Sequence, residues 1–459
     1  MNTARLRLHA DEHVALTAVA LLGGGALVAL LGFAAGHLPL SVMGIAAAGV
    51  GFILLAMTGT IDVLAAVLVT LPLPALYASD TVRLTIAAPA TAAIVIAWYC
   101  RRGLMDRAVD IGTLPRRSGI ALIGVLILAS AFAVAPAVSL RELLNLLAMA
   151  AFLVAAVDML RREPDRRDAL VVTLVAIAGL TGVVATLEAL AVIPGEFPRW
   201  GTSFQRAAAG FGQPNGLGLF LSLAVPFAVH VRAQARTPVA RFLATAALLA
   251  IGVGMVGTFS RSAWLSTFLG VSVLFLAHNP RRVFRLWGAV LIGAILLDVV
   301  SGGAIRDTFV RTIGDWVVEQ RAALALAGLA MFAEHPLLGV GPGGYAVMID
   351  HYGAQISALW DYLPTPHNVY IQIAAEAGIG ALVAYVVFLA GVLRAHVRGA
   401  RRAAALHGPT APETSLREAA AWAVAVGVFA GMAITPFAHG TGQLFAIAIA
   451  VGCALPEDA

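Results

Sequence analysis

The chain has 459 residues, of which 60% are hydrophobic and only 12% charged, and its mean hydropathy is +0.90. A soluble domain carries about 25% charged residues, so this composition excludes an ordinary soluble enzyme. The sequence has no lysine; its 30 basic residues are all arginine, and they flank apolar runs, which turns a pI near 9.7 away from nucleic acid and toward a membrane.

Apolar runs of roughly 16–24 residues recur from Val14 to Leu455, each long enough to cross a hydrocarbon core about 30 Å thick. In chain order the predicted spans are 14–35, 39–57, 61–78, 84–100, 119–136, 143–160, 169–193, 214–231, 242–259, 262–277, 286–300, 368–393, 418–436 and 440–455. The first follows Arg5 and Arg7 and, with further spans after it, reads as a retained signal-anchor. Cys100 and Cys453 fall at predicted inner ends and offer neither a disulfide framework nor a metal site. With the N-terminus inside, this map puts 22 arginines on the inner side and 8 on the outer, the asymmetry of the positive-inside rule. The expected fold is an all-α polytopic membrane protein of about 12–14 transmembrane helices, with both termini cytoplasmic and a long helical loop on the outer (periplasmic) side. The chain divides into N-terminal helices (1–193), a first outer loop (194–213), central helices (214–300), a large outer loop (301–366) and C-terminal helices (367–459).

The inner arginines read as topology signals and contacts to anionic lipid. On the outer side Arg83 and Arg141 stand apart, whereas Arg199, Arg206, Arg261, Arg306, Arg311 and Arg321 crowd between 199 and 321. Guanidinium pairs bidentately with phosphate, so an anionic, phosphate-bearing ligand on the outer face is one reading; solvated arginines on long loops are the other. Arg261, in Thr258-Phe259-Ser260-Arg261-Ser262, is wedged between two spans, where a charge is costly unless it faces a cavity or a partner. The first loop is rich in glycine and proline and turns back into the membrane at Pro214-Asn215. In the second, Glu319 to Glu334 has near-helical spacing, with Leu324, Leu326, Leu329, Met331 and Phe332 available for burial, as in an amphipathic helix on the membrane surface. His335-Pro336 stops it, and Leu338 to Tyr345 is a glycine-rich turn without the lysine of a nucleotide loop. Pro364-Thr365-Pro366-His367-Asn368 follows at the mouth of the next span. A histidine there is suited to take a proton from a hydroxyl; it is equally suited to cap a helix start. Trp316, Tyr345, Trp360 and Tyr362 either stack on sugar faces or anchor the chain at the interface.

Four pieces taken together, Gly210-Phe211-Gly212-Gln213-Pro214-Asn215, Thr258-Phe259-Ser260-Arg261, Arg321 leading into Glu334-His335-Pro336-Leu337-Leu338-Gly339-Val340-Gly341, and Pro366-His367-Asn368, resemble the O-antigen ligase and O-antigen polymerase superfamily of bacterial envelope glycosyltransferases, in that family's order and over roughly 200–395. The resemblance implies a GT-C-like membrane glycosyltransferase of the inner membrane that needs no cofactor and no metal. It implies transfer of a glycan from an undecaprenyl-pyrophosphate carrier on the periplasmic face to lipid A–core oligosaccharide or another glycan acceptor. By the same resemblance Arg261 and Arg321 engage the pyrophosphate and His367 is the base that deprotonates the acceptor. Arg206 joins the donor site, and Asn215, Asn368, Trp360 and Tyr362 are further substrate-binding candidates.

The chemistry agrees with that set. A lipid pyrophosphate is already a good leaving group, so cations for its developing charge and a base for the nucleophile suffice. Attack opposite the leaving group would invert the anomeric carbon. Asp350-His351 is the nearest approach to a metal pair on this side. Ligase comes first for its compact His-Asn motif and single long outer loop, with polymerase as the alternative. A lipid-glycan flippase is the reading from a different class; it predicts charges spread through span interiors, whereas the spans read as largely free of them, with Glu188 and Asp298 near outer ends and Asp158 near an inner one.

Overall fold

Backbone groups in hydrocarbon find no water, so the apolar runs fold as helices that satisfy their own hydrogen bonds. The computed structural model describes residues 108–195, 205–278, 280–300, 316–352, 365–432 and 441–455, with scattered residues between 64 and 99, at 197–198 and at 302–306. In chain order its helices are α1 (Arg116–Ala131), α2 (Pro136–Arg162), α3 (Arg167–Ala189), α4 (Pro214–Gln234), α5 (Pro238–Gly257), α6 (Arg261–His278), α7 (Pro280–Val300), α8 (Trp316–Glu334), α9 (Gly344–Tyr352), α10 (Val369–His407), α11 (Pro412–Ala430) and α12 (Thr441–Cys453). Two-residue antiparallel ladders pair β1 (Tyr77–Ala78) with β2 (Arg83–Leu84) and β3 (Phe197–Pro198) with β4 (Gln205–Arg206). Five helices start on proline, whose fixed φ and missing N–H suit the first turn.

Among the described residues α2, α3, α4, α5 and α10 are long and apolar enough to cross a membrane. Their outward faces are apolar too: Leu180 on α3, Phe242, Leu243 and Leu249 on α5, and Val383 and Val387 on α10 all stand exposed. Apolar surface on that scale is not left to water; it faces lipid. The protein is an all-α polytopic membrane protein. The first two predicted spans and most of the third lie outside the described residues, and the fourth is described only in part. From α1 onward the predicted spans and the helices coincide within several residues, except that α10 runs on to His407, well past the expected end at 393, and α11 begins at Pro412 rather than 418.

Without a hydrophobic drive between helices, close backbone approach does the packing. Gly179, Gly182, Ala185 and Ala189 of α3 meet Ala247, Ala250, Gly254 and Gly257 of α5. A Cβ on Gly254 would lie 2.6 Å from the Gly182 backbone, and one on Gly257 2.8 Å from the Ala189 Cβ. At the centre, α12 is buried along its whole length against α2, α4 and the alanine-rich face of α11.

Helix α10 is broken. Gly378 sits at φ 75° and ψ −174°, and the segment from Pro336 to Gly341 threads into the gap. Val340 N–H donates to Ala375 O and Gly341 N–H to Glu376 O, while Ile379 N–H donates to Pro336 O, each at 2.9 Å. The groups freed by the break are thereby paired again, as a membrane interior requires. The glycines of the turn read in sequence as Leu338–Tyr345 are there for this approach. A Cβ on Gly339 would lie 2.5 Å from Ala375 O and 2.3 Å from the Glu376 carbonyl carbon, and Gly339 has φ +65°. Gly339→Ala is therefore expected to lower the thermal transition of the detergent-solubilised protein sharply, by about 3 kcal/mol of stability. An unchanged melting curve would refute this account of the break.

Candidate active site

Three loops meet at the end of the bundle opposite the arginine-rich turns that join α2 to α3 and α4 to α5. The first is 205–213. Ala207 N–H donates to Gly257 O at 3.0 Å, hanging the loop on the end of α5. One carboxylate oxygen of Glu188, at the end of α3, accepts the N–H groups of Ala208 (2.8 Å) and Ala209 (2.9 Å). Its place near a span end thus has a structural reason. Arg206 donates from Nε to Thr258 O (3.2 Å) and from Nη2 to Asn215 Oδ1 (3.4 Å), so Arg206 and Asn215 are side by side.

The second loop is the tight turn Thr258-Phe259-Ser260 between α5 and α6. Thr258 Oγ1 donates to Met255 O (2.7 Å) and accepts from Ser260 N–H (3.1 Å). Phe259 packs on Trp264, whose Nε1 donates to Met255 O at 2.9 Å. The turn delivers Arg261 as the first residue of α6. Helix α4 starts beside it, since a Cβ on Gly218 would touch Ser260, Thr258 and Ala263. Two helix N-termini, both favourable to anions, thus flank Arg261 and Asn215.

The third loop is Pro366-His367-Asn368. Asn368 caps α10, its Oδ1 accepting from Tyr370 N–H (3.0 Å) and Ile371 N–H (3.1 Å) while its Nδ2 donates to Met432 O (3.2 Å). Val369 N–H donates to Gly431 O (2.8 Å) and Tyr370 Oη to Val428 O (2.8 Å). His367 is thus presented from a mount bolted to the end of α11. Each of the three loops also holds a non-glycine residue in the left-handed region: Ala209 at φ 41°, Phe259 at 49° and His367 at 49°. Such backbone strain concentrates where a site needs a fixed geometry.

Electrostatics tie the second and third loops to Arg321 of α8. Burial, and then the neighbouring guanidinium of Arg261, hold Arg321 below the ordinary arginine value. Burial, and then the positive charge of Arg321, push the His367 imidazole down to about 4. Arg321 is therefore within electrostatic reach of both Arg261 and His367, in a half-buried place. Two mutually repelling cations beside a neutral imidazole make a site for an anion next to a base.

Among the other outer arginines, Arg306 lies exposed past α7, where its backbone N–H donates to Asp298 Oδ1 (2.7 Å). Arg199, Arg311, Trp360 and Tyr362 lie outside the described residues. Tyr345, read as a sugar platform or an interfacial anchor, is neither: it is 1% exposed, inside the packing of α8, α9 and α10. The amphipathic helix is α8, but only Leu324 and Met331 of its leucine and methionine residues turn inward, while Leu326 and Leu329 stay exposed. Asp350-His351 ends α9, with His351 edge-on to Tyr352; among the described residues no three His, Cys, Asp or Glu side chains converge as a metal site would need. The sequence reading also passed over Glu376, a buried carboxylate inside a span; a lone acid in an apolar run was the available signal. It accepts the N–H of Tyr345 (3.4 Å) and of Gly343, and so holds the turn that fills the break in α10.

No curated protein matches the chain. Residues 245–386 match a family model described as O-antigen ligase, a stretch that runs from α5 through Arg261 and Arg321 to the first half of α10 and contains His367. On that match, which spans less than a third of the chain, this multi-pass membrane protein is similar to the O-antigen ligase family over the stretch that holds Arg261, Arg321 and His367.

Proposed function

We propose that the protein transfers an O-antigen glycan from undecaprenyl pyrophosphate to a hydroxyl of lipid A–core oligosaccharide at the periplasmic face of the inner membrane. The observation that carries this reading is the His367 imidazole, its proton affinity depressed, beside the partly buried Arg321 of α8, which in turn neighbours Arg261, where strained loops meet. His367 takes the proton of the acceptor hydroxyl as its oxygen forms a bond to the anomeric carbon. The bond from that carbon to the pyrophosphate oxygen breaks on the opposite side, inverting the centre. Arg261 and Arg321, with Arg206 beside them, take up the departing charge, so the step draws on no metal or other cofactor. Asn215, held against Arg206, lines the donor side. Asn368 serves by capping the helix that carries His367. Trp360 and Tyr362 remain candidates for the glycan. The two outer loops, 194–213 and 301–366, supply Arg206 and Arg321, and the helices of 1–193, 214–300 and 367–459 hold the site and supply Arg261 and His367 at their ends, with both termini cytoplasmic.

Purified protein in detergent, given carrier-linked glycan and lipid A–core, is expected to form the conjugate. Formation of neither a conjugate nor a longer glycan would remove the enzyme reading. A polymerase would instead lengthen the carrier-linked glycan and ignore the core acceptor.

The depressed His367 value fixes the pH dependence. The free enzyme keeps its base neutral down to about pH 4, so kcat/KM is expected to stay level between pH 5 and 7 and fall as pH drops through about 4. Bound pyrophosphate offsets the charge of Arg321, so the acid limb of kcat should lie higher. The same group binds its proton more readily when unfolded, so its contribution to stability falls as pH drops from the ordinary 6.5 through about 4. A kcat/KM limb centred near 6.5 would exclude His367 as the base in this environment.

A further inference from the structure

Helix α8 carries Arg321 in its second turn, while His367 belongs to the mount of α10; different segments bring them together, and something must set their spacing. Behind the pair lies a seam of three groups. Tyr345, at the first turn of α9, is buried and donates from Oη to Leu324 O at 2.7 Å, one turn along α8 from Arg321. Its backbone N–H is held by Glu376 of α10 at 3.4 Å. Gly328, two turns along α8 from Arg321, lets that helix close on the same ring. A Cβ there would come 2.7 Å from Ile371 Cγ2, 3.3 Å from Tyr345 Cε2 and 3.8 Å from Cβ of Pro366, the residue before His367.

We infer that Tyr345 and Gly328 are positioning residues that set the distance between Arg321 and His367, Tyr345 by pinning α8 to the broken part of α10 and Gly328 by admitting no side chain between them. Neither touches the reacting atoms. The inference rests on the glycosyltransferase reading of Arg321 and His367, since without that reaction their spacing would have no readout. The physical basis is that reacting groups about an ångström out of place lose on the order of a hundredfold in rate. The Leu324 carbonyl is within a helix and keeps its helical partner when the hydroxyl is removed, so Tyr345→Phe leaves no orphaned buried group and little reason to unfold.

The test compares Tyr345→Phe, Gly328→Ala and Arg321→Ala in purified protein, by steady-state transfer over pH 4 to 8. One variant removes the pin and the other inserts a methyl group, so the same seam is disturbed by opposite chemistry. Each is expected to lower kcat/KM about tenfold to a hundredfold, to raise donor KM, and to move the acid limb upward from about pH 4, as Arg321 draws away from His367 and water reaches the imidazole. A loss of folded protein alone would lower the amount of active enzyme and leave the limb in place. Wild-type rates and limb in both seam variants, with Arg321→Ala inactive, would overturn the inference and spare the proposed function. Full transfer by Arg321→Ala would instead bring down the reading on which the inference stands.

Discussion

His367→Ala is expected to abolish glycan transfer, by about a hundredfold to ten-thousandfold, while the purified protein elutes and melts as the wild type does. The expectation of intact folding comes from the mount. The backbone around position 367 is fixed by Asn368 capping α10, by Val369 bonded to Gly431 and by Tyr370 bonded to Val428, none of which uses the imidazole. The expectation of a large catalytic loss comes from the same burial that lowers the imidazole's affinity for a proton and so favours the free base at neutral pH. Added imidazole is expected to restore some transfer in the alanine variant, whereas His367→Gln, which hydrogen-bonds but does not take a proton, should stay inactive. Transfer near the wild-type rate by His367→Ala, scored by gel shift of the core acceptor, would take the residue out of the mechanism.

The second large effect belongs to the arginine pair. Arg261→Ala and Arg321→Ala are each expected to reduce transfer about a hundredfold to a thousandfold, the scale of losing one group that stabilises developing charge. Lysine at either position keeps the charge and loses the planar fork, so Arg261→Lys and Arg321→Lys should retain only part of the activity. Because the two guanidiniums lie near enough to repel each other, the double alanine variant should lose less than the product of the single losses. Removing one cation should also relieve the other, and melting temperatures should hold or rise slightly without donor. A double variant whose loss equals that product, or a pair of single variants with unchanged donor KM and kcat, would separate the arginines from the pyrophosphate.

The membrane character, the order and approximate limits of the helices from α1 onward, and the isolation of Arg261 in a turn with no loop to spare were all legible in the sequence. Each follows from local chemistry: apolar runs have one folded solution in lipid, and a lone guanidinium beside hydrocarbon marks itself. The break in α10 was not legible, because the chain around Gly378 reads as one continuous apolar span. Only the insertion of Pro336–Gly341, which satisfies the freed carbonyls of Ala375 and Glu376, makes a break affordable there. Tyr345 was misread for a related reason. An aromatic in a glycine-rich outer segment carries the composition of an interfacial residue, and its burial depends on α8 and α10 closing over it.

By itself the sequence determined that this chain crosses a membrane many times and presents arginines and one histidine in short motifs at one end. Tertiary structure decided that Arg321 neighbours both Arg261 and His367, residues 106 apart in the chain. It also decided that burial and the charge of Arg321 lower that histidine's affinity for a proton. The reason is that solvation and charge–charge coupling are properties of a place in three dimensions, and no spacing along a chain fixes the place where separate loops meet.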